Sequence, residues 1–140
     1  KESKKFLSEK TINTMKKLMY ENTIVGTAKK ARLDGFNIGG KTATGEKAVN
    51  GKYDKTKLVS SFLAIFPIEK PKYISLVLFD EPFIDNIKNF RQGATGGITA
   101  APVTADIFKR VFPILGITKN FNLDPGLFVN NKGELNLVSY

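Results

Sequence analysis

The chain has no cysteine and no histidine. The first absence excludes disulfides and thiol catalysis, and the second removes both the commonest metal ligand and the usual base that activates a serine. If acyl chemistry passes through these residues, lysine is the natural proton carrier. No metal or cofactor is implied. Long apolar runs are also missing: the longest, at 58–68 and 74–79, fall well short of the ~20 residues a membrane helix needs and read as core strands. There is no leading apolar segment with a small-residue cleavage site. The first residue is Lys1, and the opening Lys-Glu-Ser-Lys-Lys looks like mid-protein sequence, so a fragment is expected. Arginine is scarce as well, three residues against nineteen lysines within a net charge of +9. That excess is concentrated in residues 1–32, with nine bases and three acids, and is gone from 73–140, with six of each. A lysine surface without arginine is poor at bidentate phosphate or base recognition, so it reads as a solvated face and no nucleic acid is expected.

What is present, 140 residues with 41% hydrophobic and 25% charged, is the balance of one globular domain with a modest core. Ser8 is placed as an N-cap, Leu7 and Ile12 as a hydrophobic staple, and Ile12, Met15, Leu18 and Met19 repeat at helical spacing, which predicts a helix over 9–21. Gly26 to Ala31 reads as a connection. Phe36 and Ile38 alternate with smaller residues and lead into Gly40-Lys41-Thr42-Ala43-Thr44-Gly45, an extended segment ending near a turn. Asn50-Gly51 and Tyr53-Asp54-Lys55 read as a polar loop. Residues 57–66 and 73–79 predict an antiparallel hairpin, and 81–92 are polar and irregular. Thr99-Ala100-Ala101-Pro102 starts a second helix whose apolar stripe is Val103, Ile107, Val111 and Leu115, ended or kinked by Pro113. A terminal hairpin is expected around Asn130-Asn131-Lys132-Gly133. The order helix, three strands, helix predicts an α+β fold, an antiparallel sheet with both helices packed against one face.

Gly39-Gly40-Lys41-Thr42-Ala43-Thr44-Gly45-Glu46-Lys47 resembles the lysine-threonine-glycine strand of penicillin-binding proteins. Its neighbours carry the likeness further. They are Ser8-Glu9-Lys10-Thr11, Gly26-Thr27-Ala28-Lys29-Lys30-Ala31, the strands at Ser60-Ser61-Phe62-Leu63-Ala64-Ile65-Phe66-Pro67 and Leu76-Val77-Leu78-Phe79-Asp80-Glu81-Pro82, and Gly96-Gly97 with Ala100-Ala101-Pro102-Val103. Together they resemble the C-terminal part of the transpeptidase domain of a cell-division-type (class B) penicillin-binding protein. The resemblance implies a boundary, with 1–117 as the C-terminal portion of that domain and 118–140 as a tail. It implies the fold shared with serine β-lactamases, and a parent enzyme of septal peptidoglycan synthesis anchored at the periplasmic face of the inner membrane. In that family a serine attacks the D-alanyl-D-alanine end of a stem peptide and the acyl-enzyme is taken by a neighbouring amine; β-lactams acylate the same serine. Partners implied are stem peptides, β-lactams and cell-division proteins. Lys41 and Thr44 take the catalytic places, as the cation beside the substrate carboxylate and as hydroxyl and oxyanion-hole amide, while Thr42, Ala43 and Thr44 bind substrate. Elongation-type transpeptidases, β-lactamases and β-lactam sensors of the same fold are alternatives, as is a non-enzymatic basic binding module.

Two features depart from the family pattern. Its third motif residue is glycine, where this chain has Ala43, with glycine displaced to position 45. Neither Ser-x-x-Lys nor Ser-x-Asn occurs, because Ser3, Ser8, Ser60, Ser61, Ser75 and Ser139 all lack the required partners. The segment is therefore expected to hold one wall of an acyl-transfer site without its nucleophile, and to be inactive alone.

Overall fold

A computed structural model describes residues 6–83 and 93–120. The elements are helix α1 (Glu9–Ile24), a 3-10 turn (Lys29–Ala31), strands β1 (Gly39–Val49), β2 (Lys52–Phe66) and β3 (Tyr73–Asp80), and helix α2 (Ala100–Ile114). The strands form one antiparallel sheet in the order β1-β2-β3. The expected α+β arrangement is therefore present. The terminal hairpin and the stretch 84–92 lie outside the described residues. Residues 117–120 fold back on the body, with the amides of Ile117 and Asn120 donating to the carbonyls of Phe112 and Gly35.

The stretch read as a polar loop is part of the sheet. Val49 pairs with Lys52 across Asn50 and Gly51, whose φ values of 52° and 78° are those of a tight hairpin turn. Asn-Gly supplies two residues that tolerate positive φ, so β1 continues eleven residues instead of ending after the motif. The register jumps between Glu46, opposite Leu58, and Lys47, opposite Asp54. The extra residues of β2 are held by Asp54, whose carboxylate accepts from the amide and hydroxyl of Thr56. Those bonds hold its carboxyl below the usual range. This bulge swings the hairpin tip relative to the motif.

Alternation along the strands gives the sheet two faces. One carries Leu58, Ser60, Phe62, Ala64 and Phe66 of β2, all buried. Helix α2 packs there through Ala101, Thr104, Ala105, Phe108 and Phe112. Phe112 stacks on Phe66 and Phe108 at 4.2 and 4.8 Å between ring centroids, Phe66 and Phe108 lie tilted at 6.4 Å, and Phe36 closes on Phe112 at 4.8 Å. The stripe expected to face the core is instead the outer one, since Val103, Ile107 and Leu115 stay exposed. Two phenylalanines one turn apart bury more area than the β-branched residues would. The small residues between them let the helix backbone approach the sheet. Pro113 does end the helix, one residue before its last.

Helix α1 sits differently, against β1 and the 3-10 turn, so the two helices do not share one face. At Gly39, an added Cβ would meet Ile68 and Met19 of α1, whereas at the next residue, Gly40, it would meet Phe62 on the α2 side. Ser8 caps α1 as expected, its Oγ accepting from the Thr11 amide. Leu7, Ile12, Met15 and Leu18 nonetheless stay exposed. The helix is seated by polar side chains on its last turns. Tyr20 donates to the Asn37 side chain, which in turn donates to Glu69, and Thr23 Oγ1 lies 2.7 Å from the Ile38 carbonyl.

Glu21 shares this buried stretch at 6% exposure, and its Oε1 has no hydrogen-bond partner among the described residues. Burial pushes its carboxyl up, against a smaller opposing pull from Lys17. The folded state then holds the proton more tightly than the unfolded chain does. Its stabilising effect is full below the ordinary carboxylate range and is lost as pH rises through the raised folded value. Glu21→Gln should therefore be more stable than the parent chain at pH 7 by about 1 kcal/mol, the gap closing toward pH 4. Urea unfolding at both pH values checks this; an equal gap at both would contradict the assignment.

Candidate functional site

The motif lies inside β1, on the outer edge of the described sheet. Gly39, Lys41, Ala43 and Gly45 stand opposite Ile65, Leu63, Ser61 and Val59 of β2. The carbonyls of the intervening residues are reached from outside: Asn22 Nδ2 donates to Gly40 O at 2.9 Å and Lys41 Nζ to Thr42 O at 2.6 Å. In an antiparallel strand alternate residues direct both N–H and C=O to the same side. The Thr44 amide and carbonyl thus face outward with those of Gly40 and Thr42, whose carbonyls already accept from Asn22 and Lys41. Lys41 is exposed and Ala43 stands exposed on the same face as Lys41, opposite to the threonines.

Thr42 and Thr44 point to the α2 face but are not equivalent. Asn22 Oδ1 accepts from the amide and from the hydroxyl of Thr27, each at 3.0 Å, and Thr27 Oγ1 lies 2.7 Å from Thr42 Oγ1. A hydroxyl has one proton. With the Thr27 proton on Asn22, Thr42 donates to Thr27, and at 8% exposure it is a buried link that ties β1 to the end of α1. Thr44 is an exposed residue whose Oγ1 accepts from the Gly96 amide at 3.1 Å, so its own proton is left for another acceptor.

Residues 93–99 complete the wall. Gly96 lies so close to the sheet that an added Cβ would be 2.2 Å from the Ser61 carbonyl and 2.8 Å from that of Ala43; at Gly97 it would be 2.2 Å from the Thr27 carbonyl. The loop is fixed from below by the buried pair Ser60 Oγ and Thr99 Oγ1 at 2.7 Å. Thr99 also donates to Thr95 O. The result is an uncharged cleft of about 300 Å³ between Thr27, Thr42, Thr44, Thr95 and the backbone of Gly96 and Gly97. Sequence reading singled out the Gly96-Gly97 pair only as a helix approach. Two adjacent glycines are also the signal for backbone laid on backbone. Nothing in the local pattern marks Asn22 or Thr95.

On the opposite face Lys47 binds Asp80, the last residue of β3, and Glu81 just beyond it, at 2.9 and 2.7 Å. Hydrogen bonds to Glu81 first, then Asp80, hold its ammonium above the usual lysine range. Among the described residues no group of acidic, histidine or cysteine side chains could hold a metal, and no helix is long and apolar enough to cross a membrane.

The family profile of the "Penicillin binding protein transpeptidase domain" matches residues 1–109. The chain is 38% identical over 132 residues to a Caulobacter vibrioides protein named "Probable peptidoglycan D,D-transpeptidase FtsI", covering 87% of this chain and 22% of that protein. It is 30% identical over 119 residues to stage V sporulation protein D of Bacillus subtilis, covering 85% of this chain and 17% of that one. The transpeptidase domain of Burkholderia pseudomallei penicillin-binding protein 3 superposes with a TM-score of 0.58 at 29% identity, covering 74% of this chain and 30% of that structure. The chain thus spans about a fifth of the length of these curated relatives. By the extent of these matches, and with the lysine-threonine strand on an open sheet edge, the chain belongs to the penicillin-binding-protein transpeptidase family.

Proposed function

We propose that this chain is the substrate-binding wall of a peptidoglycan D,D-transpeptidase of septal wall synthesis, the serine nucleophile being supplied by residues outside it. The observation that carries the reading is the placement of Lys41 to Thr44 on the outward edge of β1, beside a cleft lined by hydroxyls. A stem peptide laid along that edge meets outward main-chain groups at Thr42 and Thr44. Its terminal carboxylate meets the Lys41 ammonium, which orients it and neutralises charge. When the serine oxygen attacks the scissile carbonyl carbon, that carbonyl oxygen becomes an anion, and the outward Thr44 amide is positioned as one donor to it. The Thr44 hydroxyl, with its proton uncommitted to the protein, is the better donor to substrate. Thr42, whose proton goes to Thr27, serves chiefly to hold the strand against α1, and Ala43 borders the edge from the other face. Collapse of the intermediate releases D-alanine and leaves an acyl-enzyme, which the amine of a second stem takes over. The name of the Caulobacter relative favours the division branch over elongation enzymes. A parent at the periplasmic face of the inner membrane, working with cell-division proteins, follows from the same reading.

A fluorescent penicillin tests it. The longer protein that carries this segment should take up one label per molecule, and the 140-residue chain alone should take up none, as read by intact-mass spectrometry. A stoichiometric adduct on any serine of the isolated chain would overturn the division of labour proposed here.

A further inference from the structure

Asn22, on the last turn of α1, reaches the motif strand by a route that neither the motif nor the family match assigns. The chain that leaves the helix wraps around it. Its main-chain carbonyl accepts from the Ala28 amide at 3.0 Å, and a Cβ added at Gly26 would lie 2.4 Å from its Oδ1. The side chain is used from both ends. Oδ1 accepts from the amide and the hydroxyl of Thr27, each at 3.0 Å, while Nδ2 donates to the Gly40 carbonyl at 2.9 Å. Thr27 Oγ1 then carries the connection to Thr42 Oγ1 at 2.7 Å. One side chain therefore holds both neighbours of Lys41 in the strand, Gly40 directly and Thr42 through a hydroxyl.

The residue types fit this task. Two donors on Thr27 need an acceptor and the Gly40 carbonyl needs a donor, and a side-chain amide carries both on one plane, which an ionised aspartate does not. Gly40 is confined from the other side as well, since an added Cβ there would lie 2.4 Å from Phe62 Cζ and 2.5 Å from the Leu63 carbonyl. Lys41 Nζ donates back to the Thr42 carbonyl, so the set of the main chain at 40–42 fixes both the root of the lysine and the acceptor on which its ammonium rests. A charge displaced from its working geometry loses much of its effect on a reaction. We propose that Asn22 is a positioning residue for acylation, holding the peptide units on either side of Lys41 so that its ammonium meets the substrate carboxylate. Asn22 acts through the strand and not on the substrate. This rests on the function proposed above and adds the group that sets the place of its cation.

The longer protein is reacted with benzylpenicillin over a range of concentrations, which separates initial binding from the acylation rate constant, and intact mass gives the label per molecule. Asn22→Ala should lower the rate constant about tenfold while the label still reaches one per molecule. Thr27→Val, at an exposed position, cuts only the arm to Thr42 and should lower it about threefold, with Thr27→Ser restoring it. In a Lys41→Ala background, Asn22→Ala should cost less than about twofold, because the group it positions is gone. A merely structural role would instead lower the label per molecule at an unchanged rate constant. That result, or a full tenfold loss in the Lys41→Ala background, or Thr27→Val and Thr27→Ser both reacting like the unsubstituted protein, would overturn the positioning role and leave the transpeptidase reading intact. Failure of the unsubstituted longer protein to be acylated would overturn that reading, and this inference with it.

Discussion

Lys41→Ala in the longer protein should slow acylation by a β-lactam by about 100- to 1000-fold, the range seen when a preorganised charge-stabilising group is removed from a catalytic site. The argument is one of position and cost. Lys41 stands exposed at the sheet edge, and among the described residues its ammonium donates locally to the Thr42 carbonyl. Burial contributes little to its place, so its loss should change folding by no more than about 0.5 kcal/mol. A large kinetic effect with an unchanged melting temperature separates an electrostatic role from a structural one. Stopped-flow acylation beside a thermal melt decides it. Equal rates in the two proteins would remove Lys41 from the mechanism, and a collapsed melting temperature would make it a structural residue.

Gly96→Ala is expected to do the reverse, lowering stability by about 2–3 kcal/mol, at the upper end for overpacking a site that cannot relax. The obstacle is backbone on both sides. The new Cβ would lie 2.2 Å from the Ser61 carbonyl and 2.8 Å from that of Ala43, and these two residues are paired partners across β1 and β2. Neither oxygen moves without disturbing the sheet at the motif. The alternative relaxation lifts residues 93–99 and breaks the bond from the Gly96 amide to Thr44. Either route couples stability to the site, so acylation should fall as well. Gly45→Ala is the control, since an added Cβ there meets nothing within 4 Å. If chemical denaturation found the two variants equally stable, the close approach of this loop would be wrong.

These two glycines look alike in the sequence, and the difference between them is tertiary. The sequence alone determined the parts of the protein that rest on local rules. The Ser8 cap, the strand cores around Phe62 and Val77, the proline end of α2 and the Lys41 to Thr44 strand all depend on side chains and spacing within a few residues of each other. The Asn50-Gly51 hairpin was equally local, but its signal was hidden by the polar residues of a hairpin that extends past the core. Which side of each helix is buried was not local. The stripe of Val103, Ile107 and Leu115 is as periodic as that of Ala101, Phe108 and Phe112, and only the sheet surface selects between them, by taking the pair of rings that packs against Phe66. Helix α1 shows the same limit: its apolar repeat is exposed, and hydrogen bonds from Tyr20, Asn22 and Thr23 to residues 15 to 18 positions away seat it instead. For the candidate site the division is the same. The identities of the cation and hydroxyls were legible because their chemistry belongs to the residue types. Which threonine keeps a proton for a ligand was decided by Thr27 and Gly96, one 15 residues before Thr42 and the other 52 after Thr44, because a hydroxyl's one proton goes to whichever acceptor the fold brings within reach.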